Sequence, residues 1–191
     1  TPASALIHAA TMVAAGVYLV ARMHPFFDLA PLALPVVFAV GLTTFLVGGS
    51  IALVMTDIKR ALAYSTMSHL GLMMLSLGVG PWVVAILHLV VHGLSKSLLF
   101  LCAGNVMHST GNQTDCWSLG GLRKNMKITA SAFTIGALSL AGIIPLAGFF
   151  TKEEILISLT ETQGLWPIIL MIVLAGVFVS ALYITRLTLI T

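Results

Sequence analysis

Residues 82–107 read WVVAILHLVVHGLSKSLLFLCAGNVM, and this stretch decides the fold class of the chain. Apart from two histidines and one lysine, almost every residue in it is apolar or small. An α-helix needs about 20 such residues to cross the hydrocarbon core of a bilayer. Pro81, just before the stretch, suits the first turn of a helix. The stretch therefore predicts a membrane-spanning helix that carries ionisable side chains.

The composition of the whole chain agrees with that prediction. The 191 residues are 59% hydrophobic and 8% charged, with a mean hydropathy of +1.08. Soluble domains contain about 25% charged residues, and so few charges could not cover a soluble fold of this length. Lipid accepts an apolar exterior, provided that helices satisfy the backbone polar groups. We therefore expect an all-α, polytopic transmembrane bundle that contacts the lipid bilayer.

Six segments are long and apolar enough to span a membrane. We interpret residues 1–191 as a single transmembrane domain with spans at about 3–22, 31–55, 58–79, 82–107, 128–158 and 165–190. The fifth segment is too long for one straight span and contains Pro145 between Gly142 and Gly148. Proline removes a hydrogen bond inside a helix, so a broken helix is predicted near Gly142–Gly148, with an ordinary kink as the alternative.

The charged residues of the loops indicate the topology. If all six segments span, one side carries Lys59, Arg60, Arg123, Lys124 and Lys127, whereas the other carries little beyond Arg22. The positive-inside rule places the first side in the cytoplasm or its equivalent. The net charge of +3 therefore reflects membrane orientation, and no nucleic-acid partner is expected. Because the chain begins without Met and ends within an apolar run, we interpret it as part of a longer protein.

Three ionisable residues share one face of the segment at 82–107. His88, His92 and Lys96 are four residues apart, so they lie within a narrow arc of a helix. A charged lysine near the bilayer centre costs on the order of 3 kcal/mol or more, so Lys96 should face a polar interior. Such a row of residues can pass protons, because removal from water disfavours the ammonium form and histidine titrates near neutral pH. A structural polar cluster and a metal-binding His88–His92 pair are the alternatives.

Other candidates lie on neighbouring segments. Lys152 follows the predicted break and is either a second buried proton site or part of a solvated charge cluster with Glu153 and Glu154. His8 lies within the first apolar segment, and His69 shares a face with serines that can join membrane helices. For His69 the residues favour a structural role, and for His8 they leave both roles open.

Motifs for nucleotide, redox-centre and protease chemistry are absent from the sequence. It contains no phosphate-binding loop, no CxxC, no HExxH and no nucleophile elbow. We therefore expect no catalytic residue, metal or cofactor in this chain.

Four stretches of the chain resemble one family. TPASALIHAATMV at 1–13, DIKRALAYSTMS at 57–68, His88-x-x-x-His92-x-x-x-Lys96, and GFFTKEEIL at 148–156 are similar to the L-type antiporter-like subunit of NADH-quinone oxidoreductase, respiratory complex I. The resemblance covers essentially the whole chain.

The resemblance implies a fold of two inverted five-helix repeats, each with a broken helix. This chain would hold the end of the first repeat and the whole second repeat. Lys152 would then be the lysine of the broken helix towards the proton exit, and Lys96 the connecting lysine, with His88 and His92 beside it. His8 would link the two half-channels. The first-repeat lysine, its glutamate partner and a long lateral helix would lie outside this chain.

The resemblance also implies a function for the complete protein. It would be a proton-translocating subunit in a bacterial plasma membrane or an equivalent energy-transducing membrane, beside other membrane subunits. NAD, FMN and iron-sulfur clusters would belong to partner subunits. Two alternatives stay open. One is the related A-type subunit of a multisubunit sodium/proton antiporter, or a subunit of a membrane-bound hydrogenase complex. The other is a structural scaffold without transport.

Overall fold

The computed structural model describes residues 5–7, 11–80, 82–160 and 166–190, with the side chain of Trp166 left out. Its helices in chain order are α1 (Ala14–Arg22), α2 (His24–Asp28), α3 (Ala33–Val54), α4 (Ile58–Val79), α5 (Trp82–Ser109), α6 (Lys127–Ala141), α7 (Ala147–Thr160) and α8 (Trp166–Ile190). A 3-10 turn covers Leu122–Lys124. No strand occurs within the described ranges. The prediction of an all-α, polytopic membrane bundle is therefore confirmed.

Four helices among the described residues are long and apolar enough to cross a membrane, namely α3, α4, α5 and α8. Helix α6, with 15 residues, is shorter than a full span and continues after a break into α7. The first predicted segment is less regular than expected, because residues 11–13 form a bend and a turn before the helix that begins at Ala14. The N–H of Thr11 bonds to the Leu6 carbonyl, five residues earlier, which departs from α-helical pairing.

The break predicted near Gly142–Gly148 is confirmed. Helix α6 ends at Ala141, and Gly142 takes a left-handed conformation (φ 83°, ψ 48°) that glycine adopts without steric cost. Helix α7 begins at Ala147, where Gly148 passes directly against the backbone of Ser139, leaving no room for a side chain. The fifth segment is therefore two half-helices rather than one kinked helix.

Helices α3 and α4 form the most extensive helix pair. At four places a glycine of one helix lies against the backbone of the other: Gly41 and Gly48 contact α4, and Gly71 and Gly78 contact α3. Small residues allow membrane helices to approach closely, which replaces the hydrophobic driving force that lipid does not provide. The backbone of Phe45 lies beside Gly71, and its buried ring lies against Gly176 of α8.

The side of the bundle with most loop cations is tied together by the segment that joins α5 to α6. The N–H of Ile58 donates to the Thr114 carbonyl (2.9 Å), and that of Cys116 donates to the Thr56 carbonyl (2.8 Å). Arg186 of α8, which the topology count left out, donates to the carbonyls of Leu53 and Met55 at the end of α3. These bonds satisfy backbone groups that helix ends leave unpaired.

Asp57 begins α4, as the sequence predicted for an N-cap. Its carboxylate accepts the Arg60 N–H at 3.0 Å. Partial burial raises the pKa of this carboxyl group, but hydrogen bonds from Thr114 and from the Arg60 and Lys59 N–H groups outweigh burial and lower it. The group therefore remains ionised beside the positive end of the helix dipole.

Candidate functional site: two lysines joined to a histidine cluster

The interior of the bundle contains a set of buried polar side chains from five helices. These polar side chains are almost inaccessible to solvent, with exposed fractions between 0% and 8%. They are Ser65, His69, His88, His92, Ser95, Lys96, Ser139, Thr151, Lys152, Ser180 and Tyr183. Buried polar groups are costly unless they are hydrogen-bonded, so their partners define what the site can do.

Three histidines form a cluster between α4 and α5. His69 Nδ1 lies 3.2 Å from His88 Nε2, and the ring of His92 lies 5.2 Å from that of His69 between centroids. His88 Nδ1 in turn lies 2.8 Å from the Thr151 hydroxyl, so the cluster reaches α7. Imidazole nitrogens can donate or accept a proton, and so can hydroxyl groups. The arrangement is therefore chemically able to pass a proton from α4 to α7.

His69 belongs to this cluster, although its sequence neighbours favoured a structural role. The serines on its face bond elsewhere: Ser65 to Tyr183, and Ser68 to the Phe45 carbonyl. The periodicity of α4 indicates that His69 faces inward, but it cannot indicate which residues of α5 lie opposite. Within the described residues, the Nε2 atoms of His69 and His92 have no hydrogen-bond partner.

Lys152 is buried at the break between α6 and α7, with 4% of its surface exposed. Its Nζ donates to the Leu140 carbonyl at 2.6 Å, the Ala141 carbonyl at 3.4 Å and the Ser180 hydroxyl at 3.0 Å. The two carbonyls belong to the last turn of α6, where no following turn of helix is present to pair with them. The side chain thus provides the positive group that a helix C-terminus favours.

The other carbonyls of that last turn are occupied. Leu138 O accepts the N–H groups of Gly142 and Ile143, and Ser139 O also accepts the Gly142 N–H. Gly142 has room for the lysine, since a Cβ atom built there would lie 3.2 Å from Lys152 Cδ. The break therefore creates the lysine site.

Lys96 lies in the middle of α5 and is fully buried. Its Nζ donates to the Leu62 carbonyl of α4 at 3.0 Å, the one hydrogen bond that the described residues give it. The same carbonyl accepts the Thr66 hydroxyl at 2.9 Å. Ser95, the preceding residue, shares a 3.0 Å hydrogen bond with Ser139 of α6, next to the carbonyls that bind Lys152. The Ser95–Ser139 bond therefore joins the helix that carries Lys96 to the turn of α6 that binds Lys152.

Glu153 and Glu154 do not take part in this interior. Both are exposed on α7, and the ion pair between His24 and Asp28 is the single one within the described ranges. The interpretation of Lys152 as part of a solvated charge cluster is therefore wrong, because its Nζ points into the protein. His8 lies outside the described residues. The described residues contain no group of three or more His, Cys, Asp or Glu side chains that could hold a metal ion.

Ser180 and Tyr183 of α8 and Thr151 of α7 were missed as site residues. Hydroxyl side chains are common in membrane helices, and α8 reads from its sequence as an apolar span of mean hydropathy 2.6. Ser180 and Tyr183 are three residues apart, so they share one face of α8. The three-residue spacing was the available signal in the sequence. It indicates a functional face only when the helices that pack against α8 are known.

Comparison with known proteins extends over nearly the whole chain. A family model described as NADH:quinone oxidoreductase/Mrp antiporter, transmembrane, matches residues 1–180. The chain is 46% identical to the chloroplastic NAD(P)H-quinone oxidoreductase subunit 5 of Citrus sinensis, and 47% identical to that of Aethionema cordifolium. Each alignment covers 100% of this chain and 26% of the relative, so the chain spans about a quarter of their length.

Solved structures share the fold. A chain of the Mrp complex from Dietzia sp. DQ12-45-1b superposes with a TM-score of 0.91 at 35% identity, over 98% of this chain and 21% of that one. A chain of the membrane-bound sulfane sulfur reductase, an archaeal respiratory membrane complex, gives a TM-score of 0.81 at 28% identity, over 91% and 36%. The chain belongs to the NADH:quinone oxidoreductase/Mrp antiporter transmembrane family, as its sequence motifs suggested.

Proposed function

We propose that this chain is part of a proton-translocating membrane subunit of a complex I-type quinone oxidoreductase, of the L-type branch. The observation that carries the proposal is the buried polar interior, in which Lys96 and Lys152 lie beside a cluster of three histidines. Ionisable residues within a membrane are expensive and normally functional. The chloroplastic relatives named NAD(P)H-quinone oxidoreductase subunit 5 support the oxidoreductase assignment.

The residues of this chain would hold and transfer protons, while partner subunits carry out the electron transfer. Redox chemistry there would shift charge along the polar interior, and Lys96 and Lys152 would alternately exchange protons with the two sides of the membrane. His69, His88 and His92 would connect the two lysines, and His8 would extend the path towards the first repeat. NAD, FMN and iron-sulfur clusters would lie in the partners. Helices α1, α3, α4, α5, α6–α7 and α8 would be six spans of one domain.

The test is to replace each lysine in the full-length protein. Lys96→Ala and Lys152→Ala should each lower NADH-driven proton pumping and quinone reduction at least about tenfold, since a proton carrier is lost, while the complex still assembles. Lys59→Ala, in the half-buried first turn of α4, removes a cation outside the polar interior and serves as the matched control. Normal pumping by both lysine variants would refute the proposal and favour a structural scaffold.

A multisubunit sodium/proton antiporter is the second candidate, because the Mrp complex chain shares the fold at a TM-score of 0.91. Vesicles that contain the full-length protein and its partners separate the two functions. Sodium-dependent proton movement without any electron donor would favour the antiporter, whereas proton movement that requires NADH and quinone would favour the oxidoreductase.

A further inference from the structure

Two hydroxyl side chains, Ser65 of α4 and Tyr183 of α8, meet where these two helices contact each other. The Ser65 hydroxyl donates to the Tyr183 hydroxyl at 2.9 Å, and both residues are at most 3% exposed. A phenol oxygen can accept a hydrogen bond in this way while keeping its own proton.

Ser65 and Tyr183 each lie one helical turn after a residue that accepts a hydrogen bond from a lysine. Ser65 follows Leu62, whose carbonyl accepts Lys96 Nζ at 3.0 Å. Tyr183 follows Ser180, whose hydroxyl accepts Lys152 Nζ at 3.0 Å. Residues three apart on a helix are surface neighbours. The Ser65–Tyr183 pair therefore joins the turn of α4 that holds Lys96 to the turn of α8 that holds Lys152.

We infer that Tyr183 is a positioning residue that couples the two lysine sites through its hydroxyl group. This inference rests on the proposed proton-transfer function. The hydrogen bond fixes α8 against α4, so that the Leu62 carbonyl and the Ser180 hydroxyl stay at a set separation. Movement at either lysine is thereby transmitted to the other. The role belongs to α8, to which the sequence patterns assigned no proton-path residue.

Two variants remove the hydrogen bond from opposite ends. Tyr183→Phe keeps the aromatic ring and its packing, and Ser65→Ala removes the partner hydroxyl. In membrane vesicles that carry the assembled complex, each should lower the rate of proton pumping about fivefold, the factor expected for one lost hydrogen bond. The double variant should be no worse than either single variant, because both remove the same interaction. Tyr64→Phe, a half-buried phenol of α4 without a hydrogen bond to any described residue, should pump normally.

The outcomes separate this inference from the proposed function. Normal pumping by Tyr183→Phe and Ser65→Ala, alongside loss in the Lys96→Ala and Lys152→Ala variants, overturns the coupling role and leaves proton transfer intact. Normal pumping by the lysine variants overturns both. Fully additive losses, or failed assembly of both single variants, show that the two hydroxyl groups serve stability independently of coupling, and also overturn the inference.

Discussion

Lys96 and Lys152 are both buried in the bundle, but their helices hold them in different ways. Helix α5 is continuous through Lys96, which reaches across to the Leu62 carbonyl of α4, a group already engaged in that helix. The chain around Lys152 is broken, and the freed carbonyls of Leu140 and Ala141 bind its Nζ together with Ser180. An ammonium group has three N–H donors, so three acceptors can satisfy it fully.

The comparison shows what a helix break contributes inside a membrane. An intact helix pairs its carbonyls internally and can offer a buried cation only shared acceptors. A break exposes carbonyls with which lipid cannot form hydrogen bonds. A lysine at the break donates hydrogen bonds to these carbonyls, so both groups are satisfied. The Lys152 site should therefore depend on the backbone conformation of the break, whereas the Lys96 site should depend on the packing of α4 against α5.

Among the variants that test this comparison, the largest effect is expected at the break between α6 and α7. Gly142→Ala places a Cβ atom on a left-handed residue and against Lys152 Cδ, which should destabilise the protein by about 1–2 kcal/mol. Proton pumping should fall with it, because Lys152 is displaced. Thermal unfolding of the purified complex and pumping in vesicles measure the two effects.

Gly16→Ala is the control for that variant, because Gly16 lies within α1 with open space around it. Alanine there should be neutral or slightly stabilising, as expected for a helix interior. Equal behaviour of the two variants would contradict the dependence of the Lys152 site on the break.

An intermediate effect is expected from Ser180→Ala. The substitution removes one of three acceptors around Lys152 and leaves the two carbonyls, so the cost should be about 1 kcal/mol, or about fivefold in transport rate. Ser50→Ala is the matched control, since its hydroxyl bonds only to the Leu46 carbonyl of its own helix and faces outward. An effect of Ser50→Ala as large as that of Ser180→Ala would show that Lys152 does not need the third acceptor.

The smallest effect is expected from Thr66→Val. Thr66 shares the Leu62 carbonyl with Lys96, and valine keeps the shape of the side chain without its hydroxyl. The carbonyl retains its helical partner and Lys96, so the stability change should lie at the low end of about 0.5–1.5 kcal/mol. Pumping should be unchanged within error. A loss equal to that of Ser180→Ala would mean that the two lysine sites are held in the same way.

The sequence predicted the features that depend on local pattern. Apolar length indicated the helical class, the Gly142–Gly148 stretch indicated the break, and four-residue spacing placed His88, His92 and Lys96 on one face. It could not predict which helices lie opposite that face. The sequence therefore favoured a structural role for His69 of α4 and assigned none to the hydroxyl groups of α8, because their contacts join residues up to 118 positions apart. The burial of Lys152 likewise required knowledge of where α6 ends.

The close contact between α3 and α4 has a consequence for any motion that transport requires. Gly41, Gly48 and Gly71 bring the two backbones so near that no side chain could fit between them, so the pair cannot slide or rotate without a steric clash. Under the proposed function, alternating access would then arise elsewhere, and the helix is interrupted between the two short half-helices α6 and α7. The glycine-packed pair would serve as the stationary frame against which these half-helices tilt.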